Sequence, residues 1–185
     1  METFTGLKLD NGAPVYTQEY IQSLRDADRK HPDRLKIVAQ RGGQERMLSI
    51  NADIKIVGGS RGGSKSFSSL MEVLKDIKKP DFHAVIVRKE KDDLQSLITD
   101  SECLYSQFGT YNKSQNDMTW NFTNGGWLKF SYYSGELKKF KDRFQGRQFA
   151  YICIDEGTQC PYKKFKYLLT NNRNAAHIRN RFWIT

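Results

Sequence analysis

The chain has 185 residues, long enough to bury a substantial core, and its length indicates one domain or one domain with a short arm. With 38% hydrophobic residues and a mean hydropathy of −0.69, it contains no apolar stretch near the roughly 20 residues that a membrane helix requires. The formal net charge of +9 favours a polyanionic partner, most often nucleic acid, although a solvated basic face would give the same excess.

The N-terminus and the cysteines both predict residence in the cytoplasm. The first residues, Met-Glu-Thr-Phe-Thr, lack the basic region and apolar core of a secretion signal. Cys103, Cys153 and Cys160 show no Cys-x-x-Cys spacing, and their odd number argues against a disulfide framework. The histidines are not clustered with them, so the sequence gives no support for a zinc site.

The first 33 residues are expected to form an irregular arm followed by one helix. Asp10-Asn11-Gly12 is typical of a turn, and apolar spacing predicts a helix from residue 18 to about 29. His31-Pro32-Asp33 would end that helix. We therefore assign residues 1–33 to an N-terminal arm and helix, and residues 34–185 to the main domain.

A glycine-rich loop between a strand and a helix is the most informative motif. An apolar run predicts a strand at about 53–57, and helical spacing of apolar residues begins at Phe67. Strand, glycine-rich loop, Lys-Ser and helix form the order of a phosphate-binding P-loop, in which backbone N–H groups and the helix dipole meet the phosphate oxygens. The alternative is a flexible glycine-serine connection. The residues predicted to bind nucleotide in this loop are Gly59, Ser60, Arg61, Gly62, Gly63, Ser64, Lys65 and Ser66.

The P-loop pattern predicts a separate role for individual loop residues in binding ATP and Mg²⁺. Lys65 would contact the β- and γ-phosphates, and the Ser66 hydroxyl would ligate Mg²⁺. Arg61 could contact the γ-phosphate in cis and assist catalysis, or it could face solvent. Ser64 stands where the usual pattern has glycine, and a non-glycine residue is restricted there if the position needs a positive φ.

Two glutamines upstream of the loop are weaker candidates for the nucleotide site. Gln40 and Gln44 precede the P-loop by 15 to 20 residues. Their amides could read the edges of adenine because an amide both donates and accepts hydrogen bonds. Plain loop polarity is the alternative explanation for both.

Strands alternate with helices along the rest of the chain, and Gly125 lies in the turn of a predicted β-hairpin. This alternation predicts an α/β fold in three layers, with a mostly parallel central sheet and an added β-hairpin, as in P-loop NTPases of the ASCE type. The predicted elements are a buried strand at 83–87, a helix at 91–108, the hairpin at 118–132, a basic polar segment at 135–147, a strand at 149–154, a helix after Pro161 and a strand from Phe182.

An acidic pair, Asp155-Glu156, follows the buried strand that ends at Ile154. Ligand sites in open α/β sheets lie at this end of the strands. Asp155 would hold Mg²⁺, and Glu156 would orient and deprotonate the attacking water. The alternative is an exposed pair that caps the next helix.

Arginines in the basic segment suggest a contribution in trans. Arg143 or Arg147 could reach the nucleotide of a neighbouring subunit as an arginine finger. Most arginines in a basic stretch have no such role, so a solvated surface is the alternative.

Taken in order, these motifs resemble the ATPase domain of the large terminase subunit of tailed bacteriophages. The resemblance covers about residue 40 to residue 185. It is carried by the P-loop with its internal arginine, by Val87-Arg88 at a strand end, by the Asn124-Gly125 hairpin, and by the run from Gly146 to Gln159 that contains Asp155-Glu156.

The resemblance implies an ATP- and Mg²⁺-dependent motor that packs double-stranded DNA into a procapsid in the host cytoplasm. Family members act as a homo-oligomeric ring at the portal, with a small terminase subunit as partner. Away from this assembly, we expect the chain to be a monomer. They also carry a C-terminal nuclease domain, which nothing in this sequence matches. The chain ends at Thr185, where the family's coupling motif would begin, so we expect a truncated protein without nuclease activity.

Three alternatives stay open from the residues alone. The chain could belong to another P-loop nucleic-acid motor, such as a helicase. It could be a nucleotide-binding assembly module that lost hydrolysis through Ser64. It could also use its basic charge as a DNA clamp alone.

Overall fold

A computed structural model describes residues 4–8, 14–16, 37, 39–40, 42–59, 64–112, 114 and 117–185. It divides the chain into two compact units, Met1–Asn51 and Ala52–Thr185. The division into an arm and helix at residues 1–33 and a main domain at residues 34–185 stays a prediction. The first unit includes a short helix at Gly43–Ser49, which the sequence did not predict.

The first unit contains a strand pair and this helix. Strand β1 (Phe4–Lys8) pairs antiparallel with β2 (Pro14–Tyr16), so the expectation of an irregular arm is wrong for these residues. The Asp10-Asn11-Gly12 signal lies between the two strands, and adjacent antiparallel strands satisfy each other's backbone groups. Helix α1 spans Gly43–Ser49. The helix predicted at 18–29 lies outside the described residues.

In the described part of the second unit, seven strands form one sheet in the order β3-β9-β8-β4-β7-β6-β5. Strands β3, β9, β8, β4 and β7 run parallel to one another. Strand β6 pairs antiparallel with β7 to form the predicted hairpin, and β5 pairs antiparallel with β6 at the edge. The predicted α/β fold with a mostly parallel sheet and an added hairpin is confirmed. The elements are β3 (Ile54–Ile56), α2 (Lys65–Val73), β4 (His83–Arg88), α3 (Leu94–Tyr105), β5 (Gly109–Asn112), β6 (Thr119–Phe122), β7 (Trp127–Tyr132), α4 (Leu137–Phe144), β8 (Tyr151–Ile154), a 3₁₀ turn (Gly157–Gln159), α5 (Tyr162–Asn171) and β9 (Arg181–Ile184).

Continuous apolar runs place β4 and β8 in the middle of the sheet. Ala84 to Val87 of β4 and all residues of β8 are buried on both faces. Strands buried on both faces expose no apolar surface to water. Their continuous hydrophobic sequence is typical of parallel sheets. The register sets Val87 opposite Ile154, so both strands end at the same level. Residues that follow these two strands are therefore neighbours in space.

Within the second unit, the sequence did not predict strand β5 or helix α4. Strand β5 pairs with β6 at the sheet edge, in a stretch of mixed polarity that carries no clear alternation. Helix α4 forms inside the segment expected to be only basic and polar, because Phe140 and Phe144 are spaced four apart and both are buried against the core. The basic residues of α4 occupy the remaining faces of the helix.

Two aromatic residues of the hairpin, Trp120 and Phe122, pack in the interior. Trp120 is 2% exposed, and its indole N–H donates to Ser101 Oγ at 2.8 Å. Tyr105 contacts Trp120 and Phe122 edge-on, at ring-centroid distances of 5.7 and 5.8 Å. These rings are therefore unavailable for stacking on nucleic-acid bases.

A buried ionic network fixes the helix that follows the glycine-rich loop. Glu72 of α2 is fully buried and lies 3.5 Å from Lys55 of β3 and 3.0 Å from Arg181 of β9. Arg181 also contacts Asp76 at 2.5 Å, and burial lowers the pKa of Lys55 to about 8. Buried charges of this kind must be matched, because one unpaired charge costs several kcal/mol. The network therefore sets α2 against the β3–β9 edge of the sheet.

Among the helices that the structure describes, none combines the length and the apolar composition needed to cross a lipid bilayer.

Candidate functional site

A cleft of 700 Å³ lies at the carboxyl ends of the parallel strands. Open α/β sheets place their ligand sites at this edge, because loops and helix N-termini meet there. Residues 60–63 of the glycine-rich loop, which include Arg61, lie outside the described residues. The sequence-predicted residues that line the cleft are Gly59, Ser64, Lys65, Ser66, Asp155 and Glu156.

The cleft brings Ser66 and Asp155 into direct contact, although they are 89 residues apart. Ser66 Oγ donates to Asp155 Oδ1 at 2.9 Å. The Thr185 hydroxyl donates to the same oxygen, and the Asp155 side chain is fully buried. The carboxylate and the two hydroxyls thus bring several oxygen atoms together that could act as ligands of a metal ion.

These oxygens fit a magnesium ion that is shared with a phosphate ligand. Mg²⁺ prefers oxygen ligands and is usually bound by one or two protein groups together with substrate phosphates and water. Within the described part of the chain, no group of three or more histidine, cysteine or acidic residues could hold a metal by itself. Ser66 and Asp155 are thus suited to a nucleotide-dependent site rather than to a structural metal site.

Lys65 begins helix α2 and faces the glycine-rich loop. Its Nζ donates to the carbonyl of Gly59 at 3.1 Å. The Lys65 side chain thus reaches back to Gly59 from the N-terminus of a nine-residue helix. A cation and a helix N-terminus at one point form an electrostatic environment suited to a phosphate.

Ser64 adopts the left-handed conformation that the sequence analysis identified as a difficulty for a non-glycine residue. Its φ is +54° and its ψ is +22°. Its carbonyl accepts hydrogen bonds from Ser68, through the backbone N–H at 2.9 Å and through Oγ at 2.8 Å. The first turn of α2 therefore holds this residue in a conformation that costs a non-glycine side chain about 1–2 kcal/mol.

Ser64→Gly is expected to stabilise the chain relative to Ser64→Ala. Both changes remove the hydroxyl, but only glycine removes the Cβ that opposes a positive φ. The relief of about 1–2 kcal/mol is partly offset by the greater freedom of glycine in the unfolded chain, so the net difference should be about 1 kcal/mol. Urea unfolding of both variants measures it. Equal stability of the two variants would show that Ser64 is not strained.

Arg88 is a central residue of the cleft that sequence reasoning missed as a site residue. It ends β4, and its Nε donates to Asp155 Oδ2 at 2.6 Å. Its Nη2 lies 4.0 Å from Glu156 Oε1, and its Nη1 donates to the carbonyl of Asp93 at 2.7 Å. Arg88 therefore neutralises the buried Asp155 and connects both carboxylates to the start of α3.

Glu156 has an exposed side chain and an unusual backbone. Its φ is +57° and its ψ is +45°, which is left-handed. The side chain is 57% exposed at the cleft, beside the buried Asp155. A carboxylate that reaches solvent at this point can contact a water molecule that Asp155 cannot reach.

Gln40 and Gln44 contact each other within the first unit. Gln44 is buried, and its Oε1 accepts a hydrogen bond from the backbone N–H of Gln40 at 2.8 Å. This oxygen is thus committed to a turn at the start of α1. A role toward adenine stays a prediction for both residues.

Arg143 and Arg147 lie on a second cleft of 290 Å³, which Lys91 and Lys129 also line. The Arg143 guanidinium stacks on the ring of Tyr132 at 3.9 Å and donates to the carbonyl of Ser134 at 3.3 Å. Arg143 is half-buried, whereas Arg147 is exposed. Of the two candidates for an arginine finger, Arg147 is thus the more accessible to another subunit.

The fold and the Ser66–Asp155 contact define a P-loop-type α/β domain. The family described as "Terminase large subunit, T4likevirus-type, N-terminal" matches residues 56–185. The chain belongs to this family of terminase large subunits. No curated protein matches the sequence.

Solved structures with the same fold come from terminases of several phages. The large terminase of a thermophilic bacteriophage aligns with a TM-score of 0.60 at 16% identity, over 80% of this chain and 39% of that one. The HK97 bacteriophage large terminase gives a TM-score of 0.62 at 10% identity, over 80% of this chain and 33% of that one. The ATPase domain of the Thermus phage P74-26 large terminase gives 0.57 at 10% identity, over 91% and 68%. The chain thus spans less than half of the first two of these proteins.

Proposed function

We propose that this chain is an ATP hydrolase that drives DNA packaging as part of a terminase large subunit. The observation that carries the proposal is the contact between Ser66, at the start of the P-loop helix, and Asp155, at the end of the neighbouring buried strand. The large terminase of the thermophilic bacteriophage that aligns at 16% identity shares the fold and has been solved with ADP and with ATP-gamma-S. Membership of the terminase family favours this function over that of a helicase.

In the proposed mechanism the chain binds the triphosphate and activates water. Lys65 and the backbone of the glycine-rich loop bind the phosphates, and Ser66 and Asp155 would hold Mg²⁺. When bound, Mg²⁺ would neutralise charge on the phosphate oxygens. Glu156 orients a water molecule and accepts its proton while the water oxygen bonds to the γ-phosphorus and the bond to ADP breaks. Arg61 is proposed to contact the γ-phosphate from its own loop.

The assembled motor requires contacts that a single chain does not make. We propose double-stranded DNA as the polymer that is moved, with the chain as a monomer in isolation and as a homo-oligomeric ring at the portal, beside a small terminase subunit in the host cytoplasm. The net charge of +9 supports a DNA partner. Arg147, or Arg143 if its stacking on Tyr132 opens, would then complete the site of a neighbouring subunit.

Lys65→Ala is expected to weaken the binding of Mg-ATP by about 10- to 100-fold, because a charge-assisted hydrogen bond contributes about 1.5–3 kcal/mol. Lys163→Ala provides the control, since Lys163 is an exposed lysine of α5 that does not line the cleft. Fluorescence titration with a labelled ATP analogue measures both variants. If Lys65→Ala binds as tightly as the control, Lys65 does not bind the phosphates.

A further inference from the structure

The backbone of Glu156 is held in a conformation that its side chain disfavours. A left-handed conformation is unfavourable for a residue other than glycine and persists only when its surroundings fix it. Strain of this kind concentrates where a side chain must be aimed. The contacts that hold Glu156 in this conformation are therefore contacts that set the direction of its carboxylate.

Strand β9 fixes one side of the Glu156 turn. The N–H of Glu156 donates to Thr185 Oγ1 at 3.4 Å, and the N–H of Gly157 donates to the carbonyl of Thr185 at 2.8 Å. A Cβ on Gly157 would lie 2.4 Å from Cγ2 of Ile184, so the turn can approach the end of β9 only because this residue is glycine.

The other side of the turn is fixed by Tyr133. The Tyr133 hydroxyl donates to the carbonyl of Glu156 at 3.2 Å. The accepting carbonyl belongs to the left-handed residue itself. The hydrogen bond from Tyr133 therefore opposes rotation of the peptide group that follows Glu156. Burial raises the pKa of Tyr133 to about 12, so the hydroxyl keeps its proton and remains a donor through the neutral range.

Both backbone polar groups of Tyr133, its N–H and its carbonyl, form hydrogen bonds. Its side chain is 1% exposed, and its N–H donates to the carbonyl of Arg88 at 2.8 Å. Its carbonyl accepts from Nζ of Lys164 at 2.5 Å, and the same ammonium donates to the carbonyl of Gly135 at 2.5 Å. Lys164 is only 7% exposed, and no carboxylate among the described residues pairs with it. A buried cation thus serves to fix the segment that carries Tyr133.

We propose that Tyr133, braced by Lys164, is a positioning residue that holds the Glu156 peptide in its left-handed conformation and so aims the Glu156 carboxylate at the attacking water. The inference rests on the proposed role of Glu156. Tyr133 acts through the Glu156 backbone and is not among the described residues that line the nucleotide cleft.

Tyr133→Phe tests the proposal because it keeps the buried ring and removes only the hydroxyl. We expect a fall in kcat of about 10-fold or more, since a misplacement of about 1 Å can reduce a rate 10²-fold. The dissociation constant of Mg-ATP should stay within about two-fold, because the nucleotide ligands are unchanged. The control is Tyr167→Phe, whose hydroxyl donates to the carbonyl of Lys141 at 3.3 Å on the protein surface; this variant should keep the kcat of the unaltered chain.

A double-mutant cycle separates this inference from the proposed function. In a Glu156→Gln background, Tyr133→Phe should cause no further loss in single-turnover hydrolysis, because its effect is transmitted through Glu156. If Glu156→Gln alone hydrolyses ATP normally, the proposed catalytic role of Glu156 has failed, and with it this inference. If the unaltered chain does not hydrolyse ATP at all, the proposed function has failed. If Glu156→Gln is impaired and Tyr133→Phe keeps its full kcat, only the positioning role has failed.

A second readout does not depend on hydrolysis. A crystal structure of Tyr133→Phe should show Glu156 with a changed φ or a displaced carboxylate. Retention of the left-handed φ and of the carboxylate position would overturn the proposal, whatever the rate of the variant.

Discussion

Glu156→Gln is expected to bind Mg-ATP with a dissociation constant within about two-fold of the unaltered chain, while its rate of hydrolysis falls by about 10²–10⁴-fold. Glutamine has nearly the same shape as glutamate and can still contact water, but it cannot accept the proton that water must lose. The side chain is 57% exposed at the cleft, so the substitution leaves no buried group unpaired.

The measurement is a pair of assays on the same preparation: nucleotide titration, and single-turnover hydrolysis of radiolabelled ATP. Glu102→Gln is a matched control, because Glu102 is an exposed glutamate of α3 that does not line the nucleotide cleft. Equal turnover in Glu156→Gln and in the control would remove Glu156 from the mechanism. Loss of nucleotide binding in Glu156→Gln would instead show that Glu156 contributes to binding the nucleotide before hydrolysis.

Arg88→Met is expected to lower the free energy of unfolding by about 3–5 kcal/mol. Arg88 Nε lies 2.6 Å from Oδ2 of the fully buried Asp155, and the arginine also donates to the carbonyl of Asp93. Methionine fills much of the same volume but leaves the buried carboxylate without its cation. Removing one partner of a buried ion pair costs far more than the net contribution of an exposed pair.

Urea unfolding of Arg88→Met and Arg179→Met provides the comparison. Arg179 pairs with Asp53 at 2.7 Å, but both side chains are largely exposed, so its loss should cost about 1 kcal/mol or less. The double variant Arg88→Met with Asp155→Asn should recover part of the lost stability, because it removes the unpaired charge. A cost in Arg88→Met no larger than that in Arg179→Met would contradict the role assigned to Arg88.

Local sequence patterns predicted the parts of the site that are continuous in the chain. Continuous apolar runs indicated the strands around Val85 and Ile152, because a strand buried on both faces needs no alternation. The glycine-rich run before Lys65 indicated a phosphate loop, and the acidic pair after Ile154 indicated the end of a buried strand. These signals lie within short windows, where spacing alone carries the information.

The residues that complete the site could not be found in this way. Arg88, Tyr133 and Thr185 lie at the ends of three different strands, and only the order β9-β8-β4-β7 brings these ends together. Strand order is a tertiary property that no local pattern encodes. A strand-terminal arginine or tyrosine close to an acidic pair in the sheet becomes informative only after the neighbouring strands are known.

Helix α4 and strand β5 show a second limit. The segment around Phe140 has a highly basic composition, and its helical form depends on the burial of two phenylalanines against the core and α5 rather than on its average polarity. Strand β5 is stabilised by backbone pairing with β6, which mixed polar side chains neither favour nor forbid. In both cases tertiary contacts decide a structure that local preference leaves open.

A crystal structure of the chain with Mg²⁺ and a non-hydrolysable ATP analogue tests the central claim most directly. The account predicts the triphosphate along the loop that ends at Lys65, and one Mg²⁺ ion that contacts Ser66 Oγ and lies next to Asp155. The contact of 2.9 Å between Ser66 and Asp155 should then be replaced by contacts to the metal or to its water. A nucleotide bound away from this loop, or a Ser66–Asp155 contact that stays closed beside a bound triphosphate, would contradict it.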